Sequence, residues 1–304
     1  MTLGECLEWC RSELEGADLS FGHGTDNAHD EAAWLVLSAM GLSPAQAPPD
    51  NATEVDVKQQ QGIREMLDRR IRTRQPLAYL TGETWFCGMR FEVTPDVLVP
   101  RSPIAELIAG QFHPWIEADR IRHALDLGTG CGCIGLAMAR QMPWIRLDAT
   151  DISSAALAVA GRNRAMHGLQ EAVELIQSNL FEQLGGRRYD LIVSNPPYVS
   201  RAEHAKLPAE YHAEPVSGLV SPGQGLGIVL EILRQAPGFM TARGVLVCEV
   251  GRSAAALERM MPKLPLTWLE FEHGGEGVFT IDRTSLLEQR EAVEASLERM
   301  RNVV

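Results

Sequence analysis

The chain has 304 residues, with Lys+Arg 28 against Asp+Glu 40 and a formal net charge of -12 at pH 7. That length supports one large domain plus a smaller one, and 45% hydrophobic with 22% charged residues is a globular composition. A disulfide miniprotein, a collagen and a long coiled coil are excluded, and no apolar run approaches the roughly eighteen residues that a membrane-spanning helix needs. The stretch Met1 to Cys10 carries Glu5 and Glu8 and lacks the basic start and apolar run of a signal peptide, so a cytoplasmic protein with six free thiols is expected. The negative balance opposes nonspecific binding to duplex DNA, which depends on Lys and Arg replacing counterions, and suits a basic protein partner.

The first eighty residues read as helices. Thr2 to Leu14 and Asp30 to Met40 carry apolar residues at helical spacing, Gly41 with Pro44 and Pro48-Pro49-Asp50 interrupt, and Val55 to Arg74 resumes with Ile63, Met66, Leu67 and Ile71 on one face. After Pro76 the pattern from Leu77 to Val99 changes to short apolar runs, with a hairpin turning near Gly88. Ser102-Pro103 offers a cap and a first-turn proline for a helix through Ala105, Leu107 and Ile108. The expected division is a helical unit over 1–80, a hairpin connector over 81–100 and a larger domain over 101–304.

Strand-like and helical runs then alternate. Arg122–Gly128, Ile145–Asp151, Val173–Ser178, Tyr189–Asn195 and Gly244–Val250 read as strands, with Cys133–Met142, Ser153–His167 and Gly227–Met240 among the helices between them. This alternation predicts an α/β fold with a parallel, doubly wound sheet. A helix over Ser253 to Met261 precedes Leu266–His273 and Gly277–Arg283, separated only by Gly274-Gly275-Glu276, a turn too short to join anything but antiparallel strands. The outline is five parallel strands ending in one hairpin, seven in all.

Asp126-Leu127-Gly128-Thr129-Gly130-Cys131-Gly132 follows the first of these strands and opens a helix. Its glycines let the backbone turn sharply and approach a ligand at the carboxyl edge of the sheet. Gly130-x-Gly132-x-x-Gly135 also satisfies a dinucleotide fingerprint, with Asp151 about 20 residues later. Glycines that merely allow tight strand–helix packing are the alternative. Asp126 stands where its carboxylate would meet a cationic amino group, and Asp151 where it would hold both ribose hydroxyls, so a ligand with an amino-acid end and a nucleoside end fits. Ser194-Asn195-Pro196-Pro197-Tyr198-Val199 follows the fourth strand. Two prolines fix its backbone and remove two donors. The Asn195 side-chain oxygen and the Pro196 carbonyl can accept both hydrogens of a substrate NH2 group while Tyr198 covers a planar group, which is catalysis by positioning and electrostatics.

These motifs resemble the class I S-adenosylmethionine-dependent methyltransferases that modify planar amino groups. Leu77-Ala78-Tyr79-Leu80-Thr81-Gly82, Trp85-Phe86-Cys87-Gly88, Val99-Pro100-Arg101-Ser102-Pro103-Ile104, Glu214-Pro215 and Thr267-Trp268-Leu269-Glu270-Phe271 are similar to the N5-glutamine methyltransferases, over about Leu77 to Phe279. Arg101-Ser102-Pro103-Ile104 with Trp85-Phe86-Cys87-Gly88 resembles the branch acting on ribosomal protein L-three. The sister branch, acting on the Gly-Gly-Gln motif of release factors, usually has Arg-Pro-Asp or Arg-Pro-Glu in place of Arg101-Ser102-Pro103. The resemblance implies a Rossmann-like methyltransferase sheet, S-adenosyl-L-methionine as methyl donor, and a helical amino-terminal domain that places a basic ribosomal protein. It implies donor contacts from Asp126, Gly128, Thr129, Gly130, Cys131, Gly132, Asp151, Ile152, Asn179, Leu180 and Asn195. Substrate contacts are implied for Arg101, Ser102, Pro103, Glu106 and Glu214, and catalysis for Asn195, Pro196, Pro197 and Tyr198. Asn179 departs from the family's usual aspartate, but its carbonyl can still accept from an adenine amino group.

No metal site is expected: His204, His212 and His273 lack paired-ligand spacing, and Cys6 with Cys10 or Cys131 with Cys133 lacks a second half. Glu288 to Glu298, alternating with Arg290 and Arg299, reads as a solvated helix face. DNA adenine methylation is the rival enzyme reading, opposed by the acidic charge and by the lack of a basic cluster beyond Arg69-Arg70-Ile71-Arg72-Thr73-Arg74. A noncatalytic module that binds the ribosomal protein is the rival outside enzymes.

Overall fold

The computed structural model describes residues 1–43 and 49–302, so the breaks read at Pro44 and Pro48 lie outside the described residues. Three capped helices come first: α1 (Leu3–Gly16), α2 (Ala28–Ala39) and α3 (Val57–Thr73). Thr2 with Glu5, and Asp56 with Gln59, form reciprocal capping boxes that satisfy otherwise orphaned N–H groups of α1 and α3. Leu3, Leu14, Leu35 and Ile63 close a shared apolar core between the three helices. A short helix α4 (Leu77–Thr81) follows where the sequence reads as irregular, begun by Pro76 and ended by Gly82 at φ 75°. The expected hairpin is β1 (Glu83–Phe86) and β2 (Met89–Glu92). Cys87 at φ 49° and Gly88 at φ 71° form its two-residue turn, whose left-handed backbone matches the strand twist.

After α5 (Ile104–Ala109) the chain builds the main sheet from β3 (His123–Leu127), β4 (Arg146–Asp151), β5 (Val173–Gln177), β6 (Tyr189–Ser194), β7 (Met240–Glu249), β8 (Thr267–Trp268) and β9 (Val278–Asp282). Its order is β5-β4-β3-β6-β7-β9-β8, with the first five strands parallel and the last two antiparallel. The intervening helices are α6 (Cys133–Gln141), α7 (Ser154–Met166), α8 (Arg201–His204), α9 (Val216–Leu219), α10 (Gly227–Gln235) and α11 (Ala254–Met260), and α12 (Arg283–Glu288) and α13 (Arg290–Asn302) follow β9. Alternate strand residues serve opposite layers: Leu191, Val193, Val245 and Val247 pack with α5 and α6, and Ile192, Leu246 and Cys248 pack with α10 to α13. Ser102 Oγ accepts from Ile104 N at 3.2 Å, but α5 starts after Pro103, one residue later than expected.

Three features differ from the sequence reading for physical reasons. α10 stops at Gln235, and Pro237 falls in a following 3-10 turn, so β7 begins at Met240 ahead of the expected Gly244. The hairpin arm expected over Leu266–His273 shrinks to Thr267–Trp268, because the Glu106 carboxylate takes the N–H groups of Glu272 and His273 at 2.9 and 3.0 Å and draws that segment off the sheet. The charged carboxy-terminal segment is more than a solvated face: Val293 and Leu297 are buried against the core, and Met300 packs on it. Among the described residues no helix is long and apolar enough to cross a membrane.

Candidate active site

The carboxyl ends of β3, β4 and β6 converge on a cavity of about 630 Å³. Gly128, Thr129, Gly130, Cys131, Asp151, Ile152, Asn179, Leu180 and the run Asn195 to Tyr198 line it, with Arg101 and Ser102 at one side. Asp126, Gly132, Pro103, Glu106 and Glu214 are not part of this lining. The wall also includes Glu231 of α10 and Leu297, Met300 and Arg301 of α13, none of which the sequence had singled out.

Gly128, Gly130 and Gly132 all adopt left-handed backbone, at φ 78°, 56° and 87°, which L side chains rarely tolerate. This bends the loop back so that Gly128 N and Thr129 N both donate to Thr150 O on the adjoining strand. Gly135 serves packing: a Cβ there would lie 2.9 Å from Asp126 Oδ2, so only glycine lets α6 settle this close to β3. Asp126, for which the sequence predicted a donor contact, braces the loop and lies outside the cavity lining. Its Oδ2 accepts from Thr129 Oγ1 at 2.5 Å and Gly135 N at 2.8 Å, and burial pushes its pKa to about 6 against these two hydrogen bonds.

Asp151 does face the cavity. Burial raises its pKa, opposed by backbone N–H groups: Ser153 N donates to Oδ1 and Gly130 N to Oδ2, each at 2.9 Å. Each oxygen keeps a further lone pair for a hydroxyl. Ile152 beside it is 62% exposed, an uncovered apolar surface suited to a flat ring. The Asn179 NH2 group donates to Glu182 Oε1 at 2.8 Å, which leaves its carbonyl oxygen for an amino group, as the sequence reading required. Ser178 Oγ donates to Leu180 O at 2.7 Å and fixes that turn.

The Asn195–Tyr198 loop is anchored on several sides. Ser194 Oγ donates to Leu127 O at 2.7 Å, and Ser253 Oγ to Tyr198 O at 2.8 Å. The Tyr198 hydroxyl donates to Glu249 Oε1 at 3.0 Å, and Ser102 Oγ donates to Glu249 Oε2 at 2.6 Å. Sequence reasoning missed Glu249, although a single carboxylate ending the apolar run Val245 to Cys248 was the available signal.

Of the expected substrate contacts, Arg101 and Glu214 bind each other, Pro103 packs on Gly275 and Glu106 braces the Glu272–His273 turn. Glu214 also accepts from Val99 N at 3.0 Å, with His23 Nε2 3.4 Å away. Four residues earlier, Glu210 accepts from Ser20 N at 3.1 Å and from Arg74 Nε at 2.9 Å. The segment after the Asn195 loop is thereby tied to the amino-terminal helical region.

Residues 112–245 match the family described as "Methyltransferase small domain", and residues 5–82 the "PrmC N-terminal domain". A solved methyltransferase from Pyrococcus furiosus is similar with a TM-score of 0.46 at 18% identity, over 64% of this chain and 89% of that one. The ribosomal protein uL3 glutamine methyltransferase of Xylella fastidiosa (strain Temecula1) is 44% identical over 97% of this chain and 94% of its own length. Its counterpart from Xanthomonas campestris pv. campestris is 42% identical over 94% of this chain and 92% of its own length. With such identity over nearly the whole of both chains, this protein belongs to the ribosomal protein uL3 glutamine methyltransferase family.

Proposed function

We propose that the chain methylates the side-chain amide nitrogen of one glutamine in ribosomal protein uL3, in the cytoplasm, with S-adenosylmethionine as donor. The observation that carries this reading is the Asn195–Tyr198 loop, braced by three hydrogen bonds in the wall of a cavity that Asp151 and Ile152 also line. When bound, S-adenosylmethionine supplies an electrophilic methyl group on a sulfonium, taken in one displacement without a covalent enzyme intermediate. Asp151 holds the ribose hydroxyls through its free lone pairs, Ile152 packs on the adenine, and the Asn179 carbonyl accepts from the adenine amino group. Asn195 Oδ1 and the Pro196 carbonyl accept the two hydrogens of the glutamine NH2, while Tyr198 covers its plane. An amide nitrogen is a weak nucleophile, so holding its lone pair on line with the methyl is the main contribution these groups make. As the new carbon–nitrogen bond forms the methyl carbon–sulfur bond would break, its electron pair staying on sulfur to leave a neutral thioether, and the amide proton would pass to solvent.

The helical unit over 1–80 and the connector over 81–100 form the platform for the protein substrate, and 101–304 the transfer domain. The net charge of -12 favours approach of a basic ribosomal protein. Incubation with radiolabelled methyl donor and purified uL3, followed by mass spectrometry of peptides, tests the reading. One glutamine-containing peptide should gain a single methyl. Label appearing only on release factor, only on DNA adenine, or nowhere would overturn it.

A further inference from the structure

Glu249 closes β7 beside the Asn195 loop with only 4% of its surface exposed. Among the described residues Glu249 forms no ion pair, and Arg101, whose charge acts on it, is committed to Glu214. Its hydrogen-bond partners are neutral donors, Ser102 Oγ at 2.6 Å and the Tyr198 hydroxyl at 3.0 Å, and the side-chain amide of Asn195 stands close enough to favour its ionised form. A buried carboxylate without a counter-ion is costly, and a glutamine of the same shape would avoid most of that cost. An ionised carboxylate differs from glutamine in one respect that matters here: it only accepts hydrogen bonds. Every group facing it must then present a donor.

We propose that Glu249 is the positioning residue of the methyl-transfer site, holding the Tyr198 hydroxyl and the Asn195 NH2 so that Asn195 turns its carbonyl oxygen to the substrate amide. This rests on the reading of Asn195 and Tyr198 given above. An unbraced asparagine can offer the cavity either its NH2 or its C=O, and only the C=O can accept the hydrogens of the attacking nitrogen. Tyr198 is held just as closely. A Cβ on Gly251, which sits at φ 47°, would lie 2.7 Å from Tyr198 Cε2, so the ring is walled on that side while its hydroxyl is fixed on Glu249.

Burial raises the Glu249 pKa to about 7, while Ser102, Tyr198, the positive charge of Arg101 and Asn195 pull it down. Cys248, the preceding residue, is pushed up by burial and by Glu249 itself and stays a neutral thiol. Acidification through neutrality turns Glu249 into a group that also donates, and its hold on the Asn195 orientation is lost. The kcat profile should therefore carry an acidic limb near pH 7.

The test uses the full chain with uL3 as substrate. Glu249→Gln should lower kcat by about 100-fold, as expected when a reacting group is misoriented, with donor affinity unchanged and the acidic limb abolished. Ser102→Ala removes a donor that favours the ionised form, so its acidic limb should move to higher pH even if Glu249→Gln folds poorly. The exchange Asn195→Asp with Glu249→Gln returns one carboxylate and one amide to the same pair of positions, and should exceed either single variant in kcat by about tenfold or more. A wild-type kcat and limb in Glu249→Gln, an unmoved limb in Ser102→Ala, or a folded double variant no better than its parents would each overturn the proposal. Full activity in Asn195→Ala would instead remove the amide-anchor reading beneath it.

Discussion

Arg101 grips Glu214 with both prongs of its guanidinium, Nη1 to Oε1 at 2.7 Å and Nη2 to Oε2 at 2.5 Å, joining the cavity rim to the segment that follows the Asn195 loop. The Glu214 side chain is wholly buried and that of Arg101 is 28% exposed. Burial alone would raise the Glu214 pKa, but His23 and Arg101 outweigh it and hold the carboxyl down at about 2. A depressed carboxylate contributes stability above its ordinary value of 4.5 and loses it as pH falls towards about 2.

Removing Arg101 leaves that carboxylate buried without its main partner. Arg101→Ala should destabilise the fold by about 3–5 kcal/mol, the usual result of orphaning one member of a buried pair. Its acid unfolding should also begin at a higher pH than in the parent, because the Glu214 pKa rises when the guanidinium is lost. Thermal melts across pH 3 to 8 read both effects. Parental stability at neutral pH would show that the pair is not a strut.

The same strut shows where sequence reasoning stopped. The succession of strands and the loop glycines were legible because apolar runs and positive-φ glycines follow local rules, and Asp151 and Asn195 stood out because one closes a strand and the other directly follows one, with Tyr198 shortly beyond. Arg101, Glu106, Asp126 and Glu214 were singled out as ligand contacts, and what the sequence did not show is that each also braces backbone or another charge. Such roles depend on partners 9 to 167 positions away, as with Asp126 to Gly135 and Glu106 to His273, which no local pattern encodes. Val293, Leu297 and Met300 do repeat at helical spacing, but the charges around them in α13 obscured the apolar stripe.

Asp151→Ala should weaken donor binding about tenfold or more, since a hydrogen bond to a charged group contributes roughly 1.5–3 kcal/mol. The loss should exceed that of a ribose contact alone, because Gly130 N and Ser153 N lose their acceptor and the glycine loop loosens. Calorimetric titration with S-adenosylmethionine measures it. Unchanged affinity would remove Asp151 from the donor site.

Gly135 of α6 and Gly128 of the loop before it should fail in different ways when changed to alanine. At Gly135 the added methyl meets Asp126 Oδ2 at 2.9 Å and Leu147 Cδ2 at 3.0 Å, so overpacking should cost about 1–3 kcal/mol by separating α6 from β3. At Gly128 the methyl has open space, but φ of 78° imposes roughly 1–2 kcal/mol of backbone strain. Relief of that strain moves the cavity wall, so Gly128→Ala should lose more donor affinity for each degree of melting temperature lost. Equal ratios in the two variants would contradict this separation of packing from loop geometry.

Charge should govern the encounter with substrate more than the transfer itself. The net charge of -12 meets a basic ribosomal protein through long-range attraction, which is largely screened once the Debye length falls below about 10 Å near 0.1 M salt. Asn195 and Tyr198 line the cavity and Tyr198 meets the buried Glu249 at hydrogen-bond distance, where added salt changes little. Raising ionic strength should therefore lower kcat/KM for uL3 steeply while leaving kcat nearly constant. Stopped assays over a salt series at saturating donor separate the two. A kcat/KM independent of salt would mean that shape alone selects the substrate, and a kcat that fell in parallel would place the salt effect at the site and not in the encounter.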